Sequence, residues 1–268
     1  MTYMLRSISK YLSIFIIQVT NRLAYPGDLA AQSLSIVLFM WIFMQLWRTT
    51  YRSTGTESIN GLTLQETLWY LMMAETIMLS KPRVSRTIAE SVRDGSIAYL
   101  LNKPYNYLLY QVSIGLGDSL THLIFNIAFG GIVVWLLVGP PPDPRGWPMV
   151  FLTMIVAWLL DFCVNALIGL AAFVTEEVSA FEWIYSKFLL LLGGILIPLD
   201  FFPTWLRTIA QALPFAYMIY GPARLFVDPE IPRFISLLFG QLLWLSIFGL
   251  VVILVYKRGV SRLSINGG

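Results

Sequence analysis

Gly139-Pro140-Pro141-Pro142-Asp143-Pro144-Arg145-Gly146 decides how this chain is read, because it divides two long apolar runs, Leu108 to Val138 and Trp147 to Val174. Proline lacks the backbone N–H that a helix uses and its ring clashes with the preceding turn, so no helix passes through this segment. Each flanking run is long enough to cross a hydrocarbon core of roughly 30 Å, which takes about 20 residues of helix. Lipid offers a bare backbone no hydrogen-bond partner, so the runs read as two helical spans joined by a turn outside the hydrocarbon.

Working outward, Leu29 to Trp47 is uncharged and makes a first span. Thr63 to Leu79 makes a second, although Glu66 and Glu75 fall inside it. The two runs beside the proline turn are the third and fourth. Ala180 to Pro198 is the fifth, and Phe234 to Tyr256, followed at once by Lys257 and Arg258, is the sixth. Leu199 to Pro232 is too apolar for a solvated loop and too rich in proline for a straight helix. It reads as an external segment of short helices that enters the membrane and returns, covering residues 199–232. A seventh span over Thr208 to Ala223 is the alternative, and it would reverse the side of the C-terminus.

Of the 268 residues 57% are hydrophobic and only 12% are charged, against about a quarter in soluble domains. That is too little charge to cover a water-soluble fold. The single Cys163 excludes an intrachain disulfide, and no Cys/His cluster has metal-site spacing. The net charge of +3 suggests a nucleic-acid partner less well than it suggests membrane orientation. With six spans, 11 of the 18 Lys and Arg fall in the N-terminal, second-to-third, fourth-to-fifth and C-terminal segments, with Lys187 in the fifth span making about 12 on that side, which makes that side cytoplasmic. Both termini then lie in the cytoplasm. Residues 1–27 read as an amphipathic interfacial helix, with no signal cleavage site and with Ile8, Tyr11, Leu12 and Phe15 on its buried side.

The largest cytoplasmic segment is 80–106. Within it Val84, Ile88 and Val92 recur at i and i+4, while Arg86, Glu90, Arg93 and Asp94 lie elsewhere on the same helix. The pattern fits a surface helix that only connects two spans, and equally a docking helix. Inside the membrane, Asp118, His122 and Asn126 share one face of the third span, and Asp161 and Asn165 one face of the fourth. A charge at the bilayer centre costs at least about 2.5 kcal/mol, so such residues face protein or water. Three readings stay open: interhelical hydrogen bonds such as Asp118 or His122 to Asn165, the lining of a substrate path, or a proton relay through His122. Glu75 is expected to pair with Lys81 or Arg83. Gly115, Gly117, Gly193 and Gly194 read as sites of close helix packing.

Arg86-Thr-Ile-Ala-Glu-Ser-Val-Arg-Asp-Gly95-Ser-Ile-Ala-Tyr-Leu-Leu-Asn-Lys-Pro104 resembles the segment before the third span in permeases of ABC-2-type transporters, where a helix leads into G-x-I/L-x-x-x-L-x-x-P. Gly194-Ile-Leu-Ile-Pro198-Leu-Asp-Phe-Phe-Pro203-Thr-Trp205-Leu-Arg-Thr-Ile-Ala-Gln-Ala-Leu-Pro214-Phe resembles the segment after that family's fifth span. The order of both motifs extends the resemblance over essentially the whole chain, as one transmembrane domain over 1–268, closest to a subgroup formerly labelled a domain of unknown function.

The resemblance implies an all-α polytopic permease of a bacterial cytoplasmic (inner) membrane. It would work with ATP-binding cassette ATPase subunits and a second permease, identical or homologous, usually for export. Arg86, Glu90, Arg93 and Asp94 would dock in an ATPase groove, with the loop Thr175 to Lys187, carrying Glu176, Glu177 and Glu182, as a second contact. ATP and Mg would bind the ATPase, and no cofactor or metal this chain. The sequence contains no G-x-x-x-x-G-K-[ST] phosphate loop, so no ATP-hydrolysing site is read in it. An ion-coupled secondary transporter and a non-transporting membrane scaffold are the alternatives, although no internal repeat favours the former.

Overall fold

The computed structural model describes residues 2–175 and 177–266, with side chains over 8–175 and 177–261. The helices are α1 (Thr2–Leu23), α2 (Pro26–Thr54), α3 (Leu64–Leu79), α4 (Val84–Arg93), α5 (Ser96–Leu101), α6 (Tyr107–Val138), α7 (Trp147–Leu170), α8 (Ser179–Leu192), α9 (Thr204–Ala212), α10 (Pro214–Met218), α11 (Tyr220–Val227) and α12 (Ile231–Asn266). A hairpin of β1 (Ser58–Ile59) and β2 (Leu62–Thr63) sits between α2 and α3.

The proline turn falls where its chemistry requires. Helix α6 stops at Val138, a single turn of 3-10 helix covers Pro144–Gly146, and Asp143 caps that turn by accepting from the Arg145 N–H at 2.9 Å. Helix α7 then starts with a proline in its first turn, where no donor is lost. Four helical stretches, Pro26–Thr54, Tyr107–Val138, Pro144–Phe173 and Ile231–Ser261, are long and apolar enough to cross a membrane. The chain is an all-α multi-pass membrane protein.

Two of the expected spans are shorter than a bilayer. Helix α3 has 16 residues and α8 has 14, which at 1.5 Å per residue makes them about 24 Å and about 21 Å long. Glu66, an awkward charge inside a span, is the third residue of α3 and completes a capping box: Thr63 N–H donates to its carboxylate at 2.8 Å, and the Thr63 side chain accepts from its N–H at 3.2 Å. From Thr67 to Ala74 every side chain of α3 is buried. The helix is gripped by α2, α6 and α11 and forms the middle of the main apolar core, with Ile36, Met40 and Met44 of α2 and Phe226 of α11.

Helix α8 ends earlier than the run to Pro198 suggests. Gly193 and Gly194, expected only as packing sites, also terminate it: Gly194 takes a left-handed φ of 73°, a Cβ there would fall 2.7 Å from the Tyr70 hydroxyl, and its carbonyl accepts from that hydroxyl at 2.7 Å. Residues 208–223 are not one straight helix, since the chain breaks at Leu213 and again at Ile219 between α9, α10 and α11. Buried Asp200 anchors this region, with Arg207 and Arg224 each 3.5 Å away and the Tyr220 hydroxyl donating at 3.2 Å. The hairpin joins it through Asn60, whose side-chain amide donates to the Asp200 carbonyl at 3.0 Å.

Helix α1 has two apolar faces. Tyr11 and Phe15 turn inward beside the first third of α6, where the Asn106 N–H donates to the Tyr11 hydroxyl at 2.8 Å and a Cβ at Gly117 would meet the Phe15 carbonyl oxygen. Ile8 and Leu12, expected on the same side, are more than half exposed and face away from the protein together with Ile16 and Ile17.

Removal of the α3 cap tests the capping account. Thr63→Ala is expected to cost about 1 kcal/mol, read as a lower thermal-unfolding temperature of the purified chain. Thr54→Ala, at the last turn of α2 and outside any cap, is expected to change it far less.

Candidate coupling surface and polar cleft

The amphipathic helix expected within 80–106 exists and is α4. Its expected apolar face is embedded: Val84 and Ile88 are buried against Phe162, Ala166 and Leu170 of α7, with Val92 packed on their edge. A Cβ at Gly169 would fall 2.7 Å from both the Ile88 Cβ and the Ser85 carbonyl oxygen, so the missing side chain sets how closely α4 and α7 approach. Arg86, Glu90, Arg93 and Asp94 are all exposed on the opposite side.

The segment between α7 and α8 reaches the same place. Glu182 on the first turn of α8 accepts from Ser85 Oγ at 2.7 Å and from Arg86 Nε at 3.0 Å, and this bond raises the Arg86 pKa above its ordinary value. Exposed Glu177 accepts from the Ser179 N–H at 3.0 Å, which pulls its carboxyl below the usual range, with the Arg93 charge adding to the effect. Asp94 is lowered similarly by Ser96, whose N–H it receives at 2.9 Å. Glu176 lies outside the described residues. The structure therefore unites the start of α8 with α4 through Glu182, which the sequence reading places in the second contact.

The intramembrane polar residues divide into two groups. Asp161 and Asn165 of α7 meet Lys81: its Nζ lies 2.6 Å from Asp161 Oδ1, the Tyr185 hydroxyl of α8 donates to the same oxygen at 2.5 Å, and the Asn165 amide donates to the other at 3.1 Å. Asp118 forms an ion pair with Arg22 at the end of α1. Asn126 donates to Ser80 Oγ at 3.2 Å. Neither Asp118 nor His122 bonds to Asn165, because the two acidic faces point to different neighbours. Glu75 does not pair with Lys81 or Arg83 either; Lys81 is taken by Asp161, and the Arg83 guanidinium makes no ion pair among the described residues.

Asp118, His122 and Asn126 do share one wall, as their spacing indicates. It belongs to a polar cleft of about 740 Å³ between α1, α2 and α6, closed at one end by Lys81, Pro82 and Arg83. On the far side of α6 a separate apolar recess of about 690 Å³ runs between α6 and α7 toward the proline turn, lined by Trp69, Met72, Trp135 and Trp147. Among the described residues no group of three His, Cys, Asp or Glu is placed to hold a metal ion.

The profile of a family described as ABC-2 family transporter protein matches residues 29–267. The chain belongs to the ABC-2 transporter family. Such permeases are the membrane component of ABC transporters and are not themselves the catalytic part; they generally work with ATPase subunits. No curated protein matches the chain. Sequence reasoning missed Arg22 and Tyr185 as partners of the acids it found, and it paired Lys81 with Glu75 instead of Asp161. A Lys two residues past the second span and an Arg seven residues before the first were the available signals, since such residues sit near the depth where intramembrane acids need counter-ions.

The Lys81–Asp161 pair gives a direct test. Removing one member leaves a buried charge without its partner, so Lys81→Met is expected to destabilise by about 3 kcal/mol or more. Combining it with Asp161→Leu is expected to recover most of that loss, as measured by unfolding of both variants under the same detergent conditions.

Proposed function

We propose that this chain is the permease subunit of an ATP-driven exporter, forming half of a translocation pathway beside a second permease, identical or homologous, and moved by separate ATPase subunits. The observation that carries the reading is the division of α4. Its apolar face is locked onto α7 and, through Glu182, onto α8, while Glu90, Arg93 and Asp94 are exposed and make no ion pair within 4 Å among the described residues. A helix that only bridged two spans would need neither a close-packed seat nor an exposed charged face. ATPase movement felt at α4 reaches α7 and α8 directly, which is the differential contact that coupling requires.

In this reading α3 and α8 are the second and fifth of six spans. Protein covers α3 on all sides, so it needs less lipid-facing length, and the segment from Leu199 to Val227 completes what α8 lacks by entering the outer leaflet and returning. Both termini, α4 and the 175–178 loop are then cytoplasmic, the proline turn is external, and the membrane is a bacterial inner membrane. ATP and Mg are held by the ATPases. Asp118 and Asp161 are ion-paired rather than free, which favours this reading over a proton-coupled carrier.

Topology is checked by single cysteines in a Cys163→Ser background. Positions 53, 143 and 230 are expected to react with an impermeant thiol reagent in sealed cells, and 87 and 177 only after permeabilisation. Labelling at 87 from outside would contradict the arrangement.

Coupling is checked on the complex purified under native expression. Reversing Glu90 and Asp94 to Lys is expected to lower transport and transport-linked ATP hydrolysis together by about tenfold, equivalent to about 1.4 kcal/mol of docking energy. His122→Gln is expected to leave the pH dependence of transport unchanged, since Gln retains hydrogen bonding without carrying a proton. Transport by the chain alone under a proton gradient, lost in His122→Gln, would replace the exporter with a carrier.

A further inference from the structure

The polar cleft between α1, α2 and α6 has a charge pattern that neither coupling nor span packing uses. Arg22, Lys81 and Arg83 line it, with Asp118 as the one carboxylate on its walls. Arg22 is taken up by Asp118, and Lys81 by Asp161, which reaches it from the opposite side. Arg83 is exposed, and its guanidinium has no partner among the described residues. The five groups therefore carry one uncompensated positive charge beside an apolar environment, where an unneutralised cation is costly.

A second observation points into the same space. His122 lines the cleft, is 8% exposed, and makes no hydrogen bond among the described residues. Buried polar side chains are normally satisfied, so its ring is available to a group entering the cleft. The exterior beside the cleft is apolar: Ile8, Leu12, Ile16 and Ile17 of α1, and Leu34 and Leu38 of α2, are about half or more exposed. Asp118 lies roughly 20 residues, or about 30 Å, from the external end of α6 at Val138, which puts the cleft mouth near the inner boundary of the hydrocarbon.

We propose that this cleft binds the phosphodiester headgroup of an anionic lipid from the cytoplasmic leaflet. Arg83 takes the phosphate by charge-assisted hydrogen bonds, and the acyl chains lie along the exposed apolar faces of α1 and α2. A phosphodiester carries one negative charge, which matches the one excess positive charge. A soluble phosphate would gain nothing from the apolar flank. The site stands independently of the export reading, since it uses neither α4's charged face nor an ATPase.

The test uses the full chain in detergent, titrated with dioleoyl phosphatidylglycerol or dioleoyl phosphatidylcholine and examined by native mass spectrometry for retained lipid. Phosphatidylglycerol is expected to be retained about tenfold more tightly than phosphatidylcholine, the equivalent of one charge-assisted contact. Arg83→Gln is expected to remove that preference, Arg83→Lys to keep most of it, and Arg52→Gln, on the far end of α2, to leave it intact. Equal retention of the two lipids, or an Arg83→Gln protein that still prefers phosphatidylglycerol, would overturn the proposal. Displacement of phosphatidylglycerol by excess inorganic phosphate would overturn the lipid assignment in favour of a free-phosphate site.

Discussion

The ion pair between Lys81 and Asp161 is the joint on which the end of the molecule around α4 depends. Two charges taken out of water recover their desolvation cost only with good geometry and extra hydrogen bonds. Here the Tyr185 hydroxyl and the Asn165 amide supply those bonds, so a single carboxylate ties the exit of α3 to α7 and α8. Helix α4 starts three residues after Lys81. The direction in which α4 departs from α3 is therefore fixed by this contact.

Packing then makes the joint stiff. Gly169 lets the backbone of α4 settle against α7, and Ile88 fills the space that a larger residue would occupy. Close-packed interiors transmit displacement with little compliance. Helices α4, α7 and the first turn of α8 are thus suited to move as one body, with the polar cleft and the apolar recess on opposite sides of neighbouring α6. The opposite end is held by a different device, the cluster of Asp200, Arg207, Arg224, Asp228 and Arg233, in which each Asp serves two arginines.

What could be read in the sequence followed from strong one-dimensional signals. The proline turn, the long apolar runs of α2, α6, α7 and α12, and the i, i+4 face of α4 all act through local rules of backbone and burial. Glu66 misled because a capping box and an intramembrane charge look alike until the helix start is known. Gly193 and Gly194 misled because small residues serve helix packing and helix termination equally. The polar residues were found but their partners were not: Arg22 with Asp118 and Lys81 with Asp161 are contacts between segments 96 and 80 residues apart, and no periodicity within one helix encodes them. Glu176 lies outside the described residues.

Helix α3 carries one more implication, which concerns how the protein is made. It is about 24 Å long, begins with a charged cap, contains Glu75, and is enclosed by α2, α6 and α11. A segment of that kind gains little from partitioning into lipid by itself, because its apolar side chains are matched to protein neighbours. Its stable residence must await α6, synthesised more than forty residues later, and becomes complete only with α11. The centre of the folded molecule is consequently among the last parts to be secured during biogenesis, and the hairpin and cap at its outer end hold its register in the interval.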